Sequence, residues 1–347
     1  MQQYLLEING LDSSMLAIAG GKGANLGELC KINGINVPDG FCITTEAFKY
    51  VVTENTSLKP LFDILSGLKI DERQKISEIS QKIREIIEGT NIPEDIGAEV
   101  KRHLLTYGAD IAWAIRSSAT AEDLPGASFA GQQDSYLNII GQDAILKHIS
   151  KCWASLFTDR AVTYRIHNGF GHDKISLAVI VQQMVRSEIS GVLFTAEPVS
   201  GNRKISSIDA AFGLGEALVS GLVTADNYKV REGTIIDKTL SAKRLAIRAV
   251  DNGGTIEEEI TSALQPRPAL TDAQILKLEQ MGRKIEQQFG SPQDIEWCLA
   301  DNEYYIVQSR PITTLFPVPE NNDSADHVYL SVGHQQMMTD AMKPLGL

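Results

Sequence analysis

Ile-Ala-Trp-Ala-Ile-Arg-Ser-Ser-Ala-Thr, residues 111–120, is the stretch from which the fold of this chain is read. Ile111–Ile115 is an apolar, β-prone run as long as a buried strand, and it is followed directly by Arg116, Ser117, Ser118 and Thr120. A guanidinium and three hydroxyls at the end of a strand suit an anion, because Arg forks onto phosphate oxygens through two parallel hydrogen bonds. The continuation from Ala121 to Gln133 is long, small-residued and poor in core formers. Such a loop is either a lid or disordered.

On the N-terminal side, Ala24, Leu26, Leu29 and Cys30 repeat at helical spacing over Lys22–Ile32, and Gly34 stops the pattern. A short helix is expected near Thr45. A charged amphipathic helix is expected over Asp71–Glu88, with Ile76, Ile79, Ile83 and Ile86–Ile87 as its buried stripe, followed by one that starts at Pro93. Downstream, Tyr136–Ile140 and Leu177–Val185 read as strands, with helices over Asp143–Phe157 and Thr158–Asn168 between them. A second group of short strands covers Gly191–Thr195, Ile205–Ala211, Tyr228–Val230, Thr234–Asp237, Ile295–Ala300 and Glu303–Ser309, with one long helix at Asp272–Phe289. The fold class is therefore α/β of the α+β kind, with one lobe over residues 1–185 and a second over 186–315. The Pro- and Asn-rich residues 316–327 read as a linker, and 328–347 as the start of a further domain.

Gly20-Gly21-Lys22-Gly23 puts flexible backbone and one cation at a helix N-terminus, where free N–H groups and the helix dipole attract anions. It is not a Walker A loop, which needs Gly at Leu16 and Ser or Thr at Gly23; alone it serves equally well as turn punctuation. Gly213-Leu214-Gly215 imitates a dinucleotide fingerprint, but Leu218 replaces the third glycine, so a tight turn into a helix is expected there.

Glu296 and Gln308 offer a carboxylate and an amide oxygen, hard ligands suited to Mg²⁺, on strands joined around Ala300-Asp301-Asn302. Gln308 and Arg310 share a face. With a two-residue turn at Asp301-Asn302 and a regular ladder, Glu296 would oppose Val307 and Gln308 would face away. Joint ligation thus requires an odd-length turn or a bulge. In isolation, a polar surface hairpin accounts for the same residues.

The chain has 347 residues, 43% of them hydrophobic, enough for two lobes and a sizeable core. Its formal charge of −12 repels polyanions, which argues against nucleic acid as a partner and confines positive potential to a local pocket. Cys30, Cys42, Cys152 and Cys298 are far apart and read as reduced, structural residues. No apolar run approaches the ~20 residues that cross a bilayer, and no basic leader opens the sequence. A cytoplasmic location without membrane contact is the expectation.

Six motifs, in order, carry a resemblance: Gly-Gly-Lys-Gly-Ala-Asn-Leu-Gly-Glu-Leu (20–29), Val-Pro-Asp-Gly-Phe (37–41), Ala-Ile-Arg-Ser-Ser-Ala-Thr-Ala-Glu-Asp (114–123), Val-Gln-Gln-Met-Val (181–185), Gly-Val-Leu-Phe-Thr (191–195), and Asp-Ile-Glu-Trp (294–297) with Gln-Ser-Arg-Pro (308–311). Together they resemble the ATP-binding domain of the pyruvate phosphate dikinase and phosphoenolpyruvate synthase family. The resemblance implies an ATP-grasp fold with ATP between two lobes. It implies that Lys22 and Arg116 hold phosphates, that Gly131 and Ser135 belong to the lid, and that Gln182 sits beside the adenine or ribose. Glu296 and Gln308 would bind Mg²⁺, and Arg310 would stabilise phosphoryl charge. Ser331–Asp340 and Met342–Gly346 resemble the opening of the antibiotic-binding domain in the branch of the family that phosphorylates rifampin.

In that family a histidine on a swivelling domain, in a Gly-Gly-x-x-Ser-His motif, relays the β-phosphate of ATP to the acceptor and leaves AMP and phosphate. None of the six histidines, His103, His148, His167, His172, His327 and His334, has that context. The relay is expected on a part of the protein outside these 347 residues. The ATP-binding half of a phosphoenolpyruvate synthase or dikinase is the neighbouring reading, and a nucleotide-sensing module without catalysis is the reading from another class.

Overall fold

The computed structural model describes residues 3–108, 111–120, 135–172 and 175–315; both large sheets belong to one compact unit, Met1–Ile312. The first part of the chain forms β1 (Leu5–Glu7), α1 (Leu16–Cys30), β2 (Gly40–Ile43), α2 (Thr45–Phe48), α3 (Lys59–Gly67), α4 (Arg73–Gly89) and α5 (Glu94–Tyr107). Then come β3 (Trp113–Ala119), β4 (Ser135–Ile139), α6 (Gln142–Ser155), α7 (Asp159–Asn168) and β5 (Leu177–Gln183). The remainder forms β6 (Ile189–Phe194), β7 (Ile205–Phe212), α8 (Glu216–Val219), β8 (Asp226–Arg231), β9 (Thr234–Thr239), β10 (Leu245–Ala249), β11 (Thr255–Glu259), α9 (Asp272–Phe289), β12 (Gln293–Ala300) and β13 (Glu303–Pro311). The mixture of helix and sheet is the class expected. Gly131, with the rest of the lid-like stretch 121–134, and residues 316–347 lie outside the described residues.

One sheet has the order β1-β2-β5-β3-β4 and the other β13-β12-β6-β7-β8-β9, every neighbouring pair antiparallel. β5 is covered on both faces, which is why its sequence, Leu-Ala-Val-Ile-Val, is continuously apolar. Val179 and Val181 enter a core with Phe41, Trp113 and Trp153 on one side. Ala178 and Ile180 point the other way, into a core with Leu26 and Leu29 of α1. That second core continues to Leu193, Ile208, Ile295 and Trp297 of the six-stranded sheet and to Ile275, Leu278 and Ile285 of α9, so α1 joins the hydrophobic interior of both sheets. Helix α9 is set by a capping box between Thr271 and Gln274 and ends at Gly290 in the left-handed region.

The glycines of the 20–23 segment have a packing explanation. Helix α1 breaks at Gly20, whose φ is 69° and ψ 175°. A Cβ there would stand 2.2 Å from the Ser118 carbonyl oxygen. The Ser118 hydroxyl donates to the Ala19 carbonyl at 2.7 Å and accepts the Gly23 N–H at 3.1 Å, so it is spent on holding α1 to β3. Only glycine allows this approach and this φ.

A two-stranded hairpin, β10–β11, fastens β4 to the end of β7. Asn138 of β4, fully buried and with φ 57°, donates its amide hydrogens to the carbonyls of Val250 (2.7 Å) and Gly254 (2.6 Å). On the other side the Leu214 N–H donates to the Ile247 carbonyl at 2.9 Å.

Candidate nucleotide and metal site

The decisive local feature is on β13. Residues 301 and 302 make a two-residue turn with φ of 51° and 61°, and the ladder pairs Ala300 with Glu303, Leu299 with Tyr304, Cys298 with Tyr305 and Trp297 with Ile306. The register then shifts, and Glu296 pairs with Gln308, Ile295 with Ser309 and Asp294 with Arg310. Val307 is the extra residue of a β-bulge. Of the two geometries that place Glu296 and Gln308 on one face, the chain uses the bulge and keeps the short turn. Without it Gln308 and Arg310 would lie on the same side as Tyr304 and Ile306, which are in the core.

Arg116 reaches this face from the other sheet. Its guanidinium donates to the Glu296 carboxylate at 2.6 Å, to Gln308 Oε1 at 3.0 Å and to the carbonyl of the bulged Val307 at 2.6 Å. Arg116 lies inside β3 and not, as its polar neighbours suggested, in a loop beyond the strand end; Ser117 and Ser118 extend the strand with buried side chains. Ser135 is its direct partner on β4.

A cavity of about 400 Å³ opens between the sheets, within the size range of small-molecule sites. Arg116, Ser135, Gln182 and Glu296 line it, and Gln308 is bonded to the first of these. Leu137 of β4, Met184 and Val185 beyond β5, and Leu214, which packs with Ile247 of the hairpin, give the cavity apolar surface, and Ser187, Ser190, Glu216 and Ser220 line it as well. Gln182 is buried and donates to the Pro38 carbonyl at 3.1 Å. Lys22, half-buried just past the α1 break, and Arg310 lie outside the lining residues. Cys298 is in the wall, but burial pushes its thiol up to about 12, so it is protonated and inert.

One residue that sequence reasoning left without a role is Asp294. It accepts from Arg310 Nε at 2.9 Å and is its cross-strand partner. Burial raises its carboxyl above the ordinary value, and Arg310 opposes the shift. The alternation Asp294-x-Glu296 carried the signal, since residues two apart on a strand share a face.

Among the described residues no group of three His, Cys, Asp or Glu could hold a metal ion. Mg²⁺ asks for less, one or two protein oxygens with phosphate and water completing the shell. Glu296 and Gln308 supply two hard oxygens side by side, and both already face a positive charge, that of Arg116. The donor set fits a divalent cation.

Residues 16–337 match the family described as pyruvate phosphate dikinase, AMP/ATP-binding domain. The chain belongs to that family. It is 58% identical over 347 residues to a rifampicin phosphotransferase of Bacillus subtilis (strain 168), and 56% identical over 346 residues to one from Streptomyces sviceus; each comparison covers all of this chain and 40% of the relative. A probable phosphoenolpyruvate synthase of Methanothermobacter thermautotrophicus is 42% identical over 334 residues, covering 93% of this chain and 48% of that protein. The chain thus spans about two fifths of the length of the relatives it resembles most strongly here. Among the described residues no helix is long and apolar enough to cross a membrane.

Proposed function

We propose that this chain binds ATP with Mg²⁺ between two lobes of an ATP-grasp fold, as the phosphoryl-donor part of a dikinase-type phosphotransferase whose acceptor is rifampin. The observation that carries the reading is the meeting of Arg116 with Glu296 and Gln308 at a cavity that also has apolar surface. A triphosphate suits the guanidinium, and an adenine ring the apolar surface of Leu137, Met184 and Leu214. Arg116 and Lys22 hold phosphates, Gly131 and Ser135 belong to the covering loop, and Gln182 lies by the adenine or ribose. Arg310, held by Asp294, balances charge on the transferring group. Glu296 and Gln308 hold Mg²⁺, which when bound neutralises phosphate charge. Positioning and charge balance of this kind supply most of phosphoryl-transfer catalysis.

The choice of rifampin over pyruvate is supported by the higher identity to the rifampicin phosphotransferases, which extends over the whole chain. The overall reaction is then ATP, rifampin and water to AMP, phosphate and phosphorifampin, relayed through a histidine on a swivelling domain. AMP release by the full-length protein, assayed with rifampin against pyruvate, decides the acceptor; stimulation by pyruvate alone would move the assignment to the synthases. For the site itself, Arg116→Ala or Lys22→Ala removes a charge-assisted contact worth about 1.5–3 kcal/mol, read by calorimetry with ATP. Unchanged affinity in both variants places the phosphates elsewhere.

A further inference from the structure

Both oxygens assigned to the metal are engaged by one guanidinium in this structure. Arg116 spans Glu296 Oε2 and Gln308 Oε1, and its second terminal nitrogen is anchored on the carbonyl of Val307, the bulge residue without a ladder partner on β12. The side chain is about 10% exposed and that of Glu296 about 25%, so water screens the contact only partly. A divalent cation about 2.0–2.1 Å from the same oxygens would meet the guanidinium at close range and compete for the same lone pairs.

We propose that Arg116 is a place-holder as well as a phosphate ligand: it occupies the metal position until a nucleotide phosphate draws it away, so that divalent cation enters with nucleotide and not ahead of it. The proposal rests on the assignment of Glu296 and Gln308 as metal ligands given above. Its physical content is an exchange of partners. One guanidinium nitrogen, Nη2, donates to both oxygens, so when Arg116 leaves the carboxylate and the amide oxygen for phosphate oxygens, which it can hold through two parallel bonds, the two oxygens it leaves become available together. A lysine would keep the charge and lose the fork. The bulge carbonyl gives the guanidinium a fixed third contact, and this distinguishes a holding position from a chance ion pair on the surface.

The test is Mn²⁺ binding to the nucleotide-free chain, followed by electron paramagnetic resonance, for the parent, Arg116→Met and Arg116→Lys, with a non-hydrolysable ATP analogue added in a second series. The expectation is that Mn²⁺ alone binds Arg116→Met at least about tenfold more tightly than the parent, about 1.4 kcal/mol, with Arg116→Lys between them. Equal Mn²⁺ affinity in parent and Arg116→Met overturns the exchange while binding of the analogue to the parent leaves the site assignment standing. If the parent does not bind the analogue at all, the site assignment falls and the exchange with it. Should Arg116→Met fail to fold, the Arg116 guanidinium resonance of the parent gives the same answer: it stays in place with Mg²⁺ alone and moves when Mg²⁺ is added with the analogue. Displacement by Mg²⁺ alone overturns the proposal.

Discussion

The two faces of the β12–β13 hairpin lie one residue apart along each strand and have opposite chemistry. One face presents Ile295, Trp297, Tyr304 and Ile306 to a core closed by α9, all almost completely buried. The other presents Asp294, Glu296, Gln308 and Arg310, each engaged by a charge or an amide from across the ladder or across the cavity. Alternation alone cannot produce both, because Ile306 and Gln308 are two apart and would share a face in a regular strand. The bulge at Val307 reverses the parity of β13 halfway along. The apolar half of the strand is thus specified by packing, and the polar half by an irregularity.

Ile306→Asp is the most severe way to break this contrast. It places a carboxylate in the core beside Trp297 and Tyr304, where Ile306 is fully buried, and burying an unpaired charge costs at least about 3–5 kcal/mol. The expected result is loss of cooperative thermal unfolding, with nucleotide binding abolished. On the apolar face, Trp297→Ala should lower stability by about 3–5 kcal/mol in denaturant unfolding. A loss below about 1 kcal/mol would show that α9 does not depend on this face. On the polar face, Asp294→Ala should leave the fold intact and weaken nucleotide binding about fivefold by calorimetry, a charge-assisted bond at a partly solvated position. A fall in melting temperature with unchanged affinity would make Asp294 structural.

The smallest effect is expected at Asp209, which lies in the same ladder row as Glu296, two strands further on, where it pairs with Val192. Burial raises its carboxyl, and the hydrogen bond from Asn227 opposes the shift. A carboxyl raised in the folded state contributes its stability at low pH and loses it as pH rises through the folded value. Asp209→Asn should therefore be slightly more stable than the parent at neutral pH. That advantage should vanish as pH falls below the ordinary carboxylate range, and an advantage independent of pH would show that desolvation is not its origin.

Much of this architecture is legible in the sequence where periodicity runs long. Asp272–Phe289 has the same limits in sequence and structure, and the strands of the six-stranded sheet fall within two or three residues of expectation. Short elements escape: β1, β2, α3 and the β10–β11 hairpin are too brief or too polar to impose a period. β3 was expected to stop at Ile115 because polar residues resemble a strand end, whereas Arg116, Ser117 and Ser118 continue it and find partners across the molecule. The 20–23 segment shows a different limit. Its glycines signal close approach, and sequence cannot say whether the approaching group is a phosphate or the Ser118 backbone. The need for an odd step between Glu296 and Gln308 was visible in the numbering, but which residue would supply it was not.

That odd step has a consequence for variation in this segment. The turn can exchange its letters, and Val307 can become any residue that tolerates a bulge, with the faces preserved. A gain or loss of one codon in β12 slides one strand against the other, whereas loss of Val307 itself leaves a regular ladder with the same cross-strand pairs. The bulge is therefore the place where this segment can shorten and keep its faces, and what such a variant gives up is the carbonyl that holds Arg116.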